Sequence, residues 1–241
     1  AEVNFENAIN GTVDKWVWLV GDSYRIPKAN FKSLKDALSH NFILSDVVIV
    51  NVAGRVCAKN YLNLSLKNFA SDICGAASCV GATLYNMSRN ENVEFVDKHT
   101  SNFSPVSFIL NRIDSPNSTV SWFGSCNIFS IPSDRQNWSH TDQVFEIAID
   151  GWFDTVSRHF IDLPDANYRA AGAAFGRVSG LFTLPGLIRL RSQGLLCSSQ
   201  LSKRVTKAKF CLARSYPLAL VISIVPVRLA KFAYCVLKGL R

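Results

Sequence analysis

The stretch from Val17 to Ser23 most constrains what this chain can fold into. Four apolar residues, Val17-Trp18-Leu19-Val20, run directly into Gly21-Asp22-Ser23. A β-branched and aromatic run closed by glycine is typical of a buried strand that ends in a tight turn. The sequence therefore predicts a first strand followed by an exposed Ser23 hydroxyl. Two roles fit that hydroxyl: a nucleophile, or a cap for free backbone N–H groups of the next helix.

Predicted strands and helices alternate after this turn. Strands are expected at 46–54, 92–96, 119–124 and 160–163, and helices at 28–40, 59–82 and 141–159, while 105–113 fits either state. This rhythm predicts an α/β fold with a parallel sheet and helices on both faces. In such sheets function gathers in the loops at the carboxyl ends of the strands.

Charge divides the chain into two unlike parts. Residues 1–165 contain 13 Lys or Arg and 18 Asp or Glu, whereas residues 166–241 contain 13 Lys or Arg and no acid. The net charge of +8 therefore describes neither part. We expect a mildly acidic body and a basic, apolar, helical C-terminal tail that seeks an anionic partner.

The end of the tail, residues 218–241, predicts attachment to an anionic membrane surface. Its apolar run suggests a span, but Arg228 and Lys231 interrupt it, each at about 2.5–3.5 kcal/mol at the centre of an inserted helix. From Arg228 onward apolar and basic residues occupy opposite helical arcs, which is typical of an interfacial helix. A helix packed on the body and a true span are the alternatives. Nucleic acid is disfavoured because interleaved aromatic and basic residues are lacking.

Sequons and cysteines bear on the compartment. Six Asn-x-Ser/Thr sequons favour a secretory-pathway or extracellular protein, at Asn10, Asn63, Asn86, Asn102, Asn117 and Asn137. The seven cysteines are odd in number, so at least one is free or bridges two chains, and Cys74 and Cys79 are near enough in sequence to bridge. No Cys/His cluster has zinc spacing, so neither a metal nor a cofactor is expected.

Gly21-Asp22-Ser23 after an N-terminal strand resembles the first motif of the SGNH/GDSL hydrolase superfamily, including its PC-esterase relatives. The resemblance implies a flavodoxin-like, three-layer α/β domain that carries a serine nucleophile in this turn. A second block of that family donates a glycine amide to the oxyanion hole. Here 47–54 has the shape of that block, with Arg55 and Val56 where the family often has asparagine and aspartate. The resemblance covers about residues 16–175.

The resemblance implies roles for three residues near the first two strands. Ser23 attacks an acyl carbonyl, and the Ser23 and Gly54 amides stabilise the oxyanion. Asn51 is the candidate for the oxyanion asparagine that the family's third block, often Gly-x-Asn-Asp, donates, and Asn60 is the alternative. No cofactor is needed for this chemistry, and the substrate class is an acylated glycan or lipid.

The acid and base of the expected triad depart from the family pattern. The family ends in Asp-x-x-His, whereas this chain has Asp165-Ala-Asn-Tyr168. A tyrosine is mostly protonated at neutral pH and accepts a proton poorly. We therefore predict that His140, in the loop after the strand of Trp122, is the base, with Asp142 or Asp165 as the orienting carboxylate.

Three further residues are candidates for substrate binding. Arg25 and Arg55 follow strand ends and would bind an anionic group such as phosphate or carboxylate. Trp122 would line the substrate pocket. The alternatives are ordinary solvated arginines and a core tryptophan.

The sequence therefore predicts an irregular lead-in at 1–15, an SGNH-like α/β domain at 16–180 and a basic amphipathic tail at 181–241. The first functional hypothesis is a serine esterase or acyl-transfer protein. The alternative is a non-catalytic secreted or viral glycoprotein that uses the fold for binding or assembly, with a tail that binds a membrane surface. The oligomeric state stays open.

Overall fold

The computed structural model describes residues 15–21, 24–90, 103–131 and 138–239. The predicted strand at 92–96 and nearly all of the predicted lead-in lie outside these residues. Within them the chain forms a mixed α/β fold with five strands: β1 (Trp16–Trp18), β2 (Tyr24–Arg25), β3 (Val47–Val52), β4 (Thr83–Asn86) and β5 (Val120–Ser130).

Helices make up most of the remaining structure. The first four are α1 (Lys28–His40), α2 (the consecutive stretches Leu66–Asn68, Phe69–Ile73 and Cys74–Ala77, the middle one π-helical), α3 (Ser104–Asp114) and α4 (Trp152–Phe160, preceded by a π-helical stretch at Glu146–Gly151). The others are α5 (Asp165–Ser179), α6 (Leu184–Ser192), α7 (Ser198–Ser202), α8 (Val205–Leu212), α9 (Tyr216–Ile224) and α10 (Val227–Gly239).

The sheet is mixed, which corrects the predicted parallel topology. The strand order is β1-β4-β3-β5-β2. β3 and β5 are parallel, with a register irregularity between Val50 and Asn51. The pairs β1–β4, β3–β4 and β2–β5 are antiparallel. A parallel β3–β5 pair is therefore flanked by antiparallel strands on both sides.

β4 runs antiparallel to β3 because of the path of the residues that precede α2. The prediction of a helix that begins at residue 59 is wrong there. Tyr61 exchanges backbone hydrogen bonds with Trp122 at 2.9 and 3.0 Å, and the Leu64 amide donates to the Val120 carbonyl at 2.7 Å. This extended stretch returns the chain along β5 to the amino end of the sheet. Because α2 then starts at that end and rises again, β4 runs back antiparallel to β3.

The region 144–160 is helical, and a turn follows it at 161–163. Helix is observed over most of the predicted 141–159, but the expected last strand at 160–163 is wrong. Phe160 is the fully buried final residue of α4, and Ile161 in the following turn is exposed. The apolar residues of this stretch therefore belong to a helix face and to the turn that follows it.

The core lies on both sides of β3. Val47 to Val50 are completely buried, as expected for a central strand covered on both faces. α1 packs against β5, and α5 packs against α2. Gly172 in α5 allows a close approach to α8, because a Cβ there would collide with the Phe210 carbonyl oxygen. The first part of the tail is thus packed on the body.

Candidate functional site

The carboxyl edge of the sheet, where β1, β3 and β5 end, is the predicted catalytic region. The Tyr24 amide donates to the Gly21 carbonyl at 3.0 Å, and the Trp18 indole N–H donates to the Gly81 carbonyl at 2.8 Å. These contacts hold the residues on either side of the predicted turn. Asp22 and the predicted nucleophile Ser23 lie outside the described residues.

The Gly54 amide, predicted to serve an oxyanion hole, is already bonded within the protein. Ala53 and Gly54 both have left-handed backbone, with φ of 52° and 66°. The Ala53 amide donates to the Ile128 carbonyl at 2.8 Å, and the Gly54 amide donates to Asn127 Oδ1 at 2.7 Å. Asn127 would have to move before Gly54 could stabilise an oxyanion. Sequence reasoning missed this residue because β5 was expected to end at Gly124.

Asn51 is also engaged within the fold. Its buried side chain donates from Nδ2 to the Val56 carbonyl at 2.9 Å and accepts from the Val56 amide at 3.2 Å. Asn60, the other amide considered for this role, accepts from the Gly124 amide at 2.9 Å. Both side chains therefore brace loops against the strands.

The predicted base and acid have different partners. His140 Nδ1 accepts a hydrogen bond at 2.7 Å from Nε2 of Gln193, the residue that follows α6. Burial and the Arg189 guanidinium lower the pKa of His140. Asp165 opens α5 with its side chain 83% exposed and pairs with Arg169 at 2.5 Å. Among the described residues no hydrogen bond or ion pair joins His140 to Asp165.

Tyr168 stands where the SGNH/GDSL pattern has a histidine, and its ring packs against an apolar side chain. Its ring centroid lies 4.7 Å from that of Phe210 in α8. Burial, and to a lesser extent the nearby Cys211, raise the pKa of its hydroxyl. Both effects favour the protonated phenol, so this side chain helps dock α8 on α5.

The three predicted substrate-binding residues have structural partners. The Arg25 guanidinium lies over the Phe129 ring, 5.8 Å from its centroid. Arg55 donates to the Val178 carbonyl near the end of α5. Trp122 is completely buried, with its indole N–H donating to the Ala58 carbonyl at 3.3 Å, so it belongs to the core.

A tyrosine–thiol contact at the carboxyl edge was missed by sequence reasoning. The Tyr24 hydroxyl lies close enough to the Cys79 thiol for each to affect the pKa of the other, and the Arg55 charge is nearby. Burial raises the pKa of both groups above their ordinary values, so both stay protonated near neutral pH. Neither residue carried a motif that could have identified the pair.

A different region leaves its side chains uncovered. We define the C-terminal surface as five exposed apolar and three exposed cationic residues of α9 and α10: Val221, Ile224, Leu229, Phe232, Val236, Arg228, Lys231 and Lys238. Ile224 is 73% exposed, Phe232 72% and Leu229 60%. Side chains of this size rarely remain uncovered together on a surface that has no partner.

The C-terminal surface is held by contacts on its other side. α9 and α10 both pack against α6, and Ala230 of α10 is buried there. Arg191 donates from Nε to the Val225 carbonyl between the two helices at 2.6 Å and from Nη1 to the Leu196 carbonyl at 2.9 Å. α10 is therefore packed on the body through Ala230, while Leu229, Phe232 and Val236 of its predicted apolar arc stay exposed.

The exposed side of α10 has two adjoining strips. Leu229, Phe232 and Val236 recur at the spacing of one helical face. Arg228 and Lys231 lie beside them, and their side chains make no hydrogen bond or ion pair with another described residue. Apolar and cationic strips side by side are the pattern of a helix that lies at a membrane interface.

A membrane span is not found among single helices. In residues 15–21, 24–90, 103–131 and 138–239 no helix is long and apolar enough to cross a bilayer by itself. One pair, α5 with α6, passes the test of length and composition when taken together, with a bend of 63° between its members.

In the part of the chain that the structure describes, no group of three or more His, Cys, Asp or Glu could hold a metal ion. All seven cysteines lie in that part, and all are free, so Cys74 and Cys79 are not bridged. Comparison with known proteins adds no assignment: no family model matches the chain, and no curated protein matches it.

Proposed function

We propose that this chain is a peripheral membrane protein that binds an anionic lipid surface through α9 and α10. The observation that carries the proposal is the C-terminal surface, where Ile224, Leu229 and Phe232 are uncovered beside cations that have no ion-pair partner among the described residues. An apolar strip enters the boundary between headgroups and acyl chains, and the cations beside it meet lipid phosphates and carboxylates.

Charge favours lipid over the other occupants of such a surface. Residues 166–241 carry 13 cations and no acid, so a second copy of this surface would add like charges. Nucleic acid would satisfy the cations but offers no apolar phase for exposed leucine, isoleucine and valine. An anionic bilayer satisfies both strips at once.

The expected energies are large enough to hold the protein at a surface. Full burial of one large apolar side chain contributes about 1.5–3 kcal/mol. Each Lys or Arg near an anionic membrane contributes about 1 kcal/mol, and this part weakens as salt rises. Loss of translational freedom opposes binding. Several apolar and several charged contacts acting together are therefore needed, and α9 and α10 supply both.

Vesicle flotation tests the proposal. The full chain should float with vesicles of phosphatidylcholine mixed with phosphatidylserine, and much less with phosphatidylcholine alone. The double variant Ile224→Ser/Phe232→Ser should lose flotation because its apolar anchors are gone. A matched control is Phe31→Ser/Ile161→Ser, two exposed apolar residues on α1 and after α4. Equal flotation of all three proteins would contradict the proposal.

A second candidate function is the serine esterase or acyl-transfer activity on an acylated glycan or lipid. It is favoured by one observation: Gly21 and Tyr24, which flank Ser23, lie at the same edge at which β3 and β5 end. A fluorophosphonate probe should then label wild type and spare Ser23→Ala. Unlabelled wild type, folded by circular dichroism, would remove this candidate.

A further inference from the structure

The asparagines of the sequons differ in their exposure to solvent. Among those within the described residues, Asn63 and Asn117 are exposed, whereas Asn86 is completely buried. A glycan on an exposed asparagine extends into solvent. A glycan on Asn86 would have to lie inside the protein, which makes this sequon the informative one.

Asn86 is fixed on all sides at the end of β4. Its Nδ2, the atom that a glycan would modify, donates to the Ser45 carbonyl at 3.1 Å. Its amide donates to the Asp46 carbonyl at 2.9 Å, and its Oδ1 accepts from the Ser88 hydroxyl at 2.8 Å. It also pairs with Trp16 of β1. A sugar on Nδ2 would break the Ser45 contact and collide with the neighbouring strands.

The cysteines are used as thiols. Cys74 Sγ donates to the Ala70 carbonyl at 3.2 Å, and Cys211 Sγ donates to the Ile149 carbonyl at 3.6 Å. Both sulfurs are buried, as is that of Cys126. A disulfide has no S–H hydrogen to donate, so oxidation at either donor would leave its carbonyl partner without this bond. The packing of these residues therefore favours the reduced form.

We infer that the chain folds in a reducing compartment without N-glycosylation, and that its membrane partner is the cytosol-facing leaflet. The first half stands on Asn86 and the thiols; the second half rests on the proposed membrane function. Disulfides form in oxidising lumens and thiols persist in the cytosol. The cytosolic leaflet also carries the anionic lipids that match the cations of α10. This proposal is an alternative to the lumenal localisation that the number of sequons predicts.

A comparison of two forms of the full chain tests the compartment. One is expressed in mammalian cells without a targeting signal and the other behind a cleavable secretory signal. The first should resist limited proteolysis, and denaturation should reveal seven alkylatable thiols. The second should carry a glycan on Asn86 and lose protease resistance. A secretory form that is as resistant as the cytosolic form, whatever its glycans, overturns the inference.

Two sequon variants isolate the contribution of Asn86 in the secretory form. Ser88→Ala removes the sequon and keeps the Asn86 side chain, so it should lower the glycan count by one and raise the protease-resistant fraction. Asn117→Gln, at an exposed sequon, should lower the glycan count without raising that fraction. Equal protease resistance of the two variants would show that the glycan on Asn86 does not obstruct folding, and would overturn that step.

The leaflet is tested in cells that express the chain without a signal. Digitonin opens the plasma membrane, and an antibody against an added epitope tag should then label the membrane-bound chain; a chain that the antibody reaches only after all membranes are dissolved would overturn the leaflet assignment. Flotation of the purified protein keeps the two proposals apart. A folded cytosolic form that fails to float on phosphatidylserine vesicles would refute the membrane function and leave the compartment result standing.

Discussion

The carboxyl edge of the sheet and the C-terminal surface use their polar groups in opposite ways. At the carboxyl edge the amide of Gly54 and the side chain of Asn51 already have partners inside the protein. On the C-terminal surface Arg228 and Lys231 have none among the described residues, and Phe232 beside them is uncovered. Groups whose hydrogen bonds are made within the fold stabilise it, while uncovered groups are available to a partner.

This difference can be tested by two measurements on each variant: the free energy of unfolding, and binding to phosphatidylserine vesicles. Substitutions in the sheet should change the first and leave the second unchanged for the folded fraction. Substitutions on the C-terminal surface should do the reverse, because exposed side chains contribute little to folding. A sheet variant that weakens vesicle binding would break the comparison.

The largest expected effect on the free energy of unfolding comes from the substitution of Asp46, a buried carboxylate directly before β3. It accepts from the Thr119 amide at 2.5 Å and from Arg89 Nε at 3.2 Å. Asp46→Ala should lower the free energy of unfolding by about 3 kcal/mol, because it leaves the part-buried Thr119 amide and the Arg89 guanidinium without their partner. Urea denaturation measures this loss.

Asp165→Ala is the matched control for Asp46. That carboxylate is 83% exposed and pairs with Arg169 one helical turn away. An exposed pair of this kind contributes about 0.5 kcal/mol or less. A loss as large as that of Asp46→Ala would mean that Asp165 has a partner beyond Arg169.

Alkaline pH should destabilise the fold through Cys74. Burial raises the pKa of this thiol to about 12 in the folded protein. Because the folded pKa is above the unfolded one, near 9, the contribution of the neutral thiol is complete below pH 9 and is lost as pH rises towards 12. The loss is about 1.4 kcal/mol per pH unit in that window.

The slope of unfolding free energy against pH tests this linkage. Cys74→Ala should show a shallower slope between pH 9 and 11 than wild type, whatever its stability at pH 7. Cys235→Ala, at an exposed thiol, should keep the wild-type slope. Parallel curves for wild type and Cys74→Ala would show that the thiol titrates normally and is not tightly packed.

Local pattern predicted much of the fold and little of the candidate catalytic site. The β-branched run of β3 and the apolar face of α1 are readable because burial follows a short period in sequence. The direction of β4 is not readable, because it depends on the pairing of Tyr61 with Trp122, two residues far apart in the chain. The residues around Tyr61 have no regular apolar pattern, so the sequence did not indicate that they would pair with β5.

The site was harder to predict for the same physical reason. Asn51 and Gly54 follow a strand end, as an oxyanion block would, but their engagement depends on Val56 and Asn127. Residue types at a spacing indicate what chemistry is available and not whether the fold has already used it. The C-terminal surface was more predictable, because helical periodicity within α10 alone separates its apolar and basic strips.

A smaller effect, on binding alone, is expected from the cations of α10. Arg228→Gln/Lys231→Gln should weaken binding to phosphatidylserine vesicles by about 1 kcal/mol per charge, or roughly thirtyfold in all. The remaining binding should depend less on salt than that of wild type. Lys28→Gln/Lys32→Gln on α1, two cations on another helix, is the control with the same change in net charge. Equal weakening by both pairs would point to net charge rather than to this surface.

The smallest effect is expected at Asn127, and it tests whether the carboxyl edge is held closed. Asn127→Ala removes the acceptor for the Gly54 amide, which is exposed enough to bond water instead, so the cost should be about 1 kcal/mol of unfolding free energy. Vesicle binding should not change. If Ser23 is a nucleophile, the freed Gly54 amide should also increase the rate of fluorophosphonate labelling, since an oxyanion donor acts only when it is free to bond the reacting oxygen. A rate equal to that of wild type would mean that Asn127 does not restrain catalysis, and the hydrogen bond it makes with Gly54 would then serve only to hold the loop after β3 against β5.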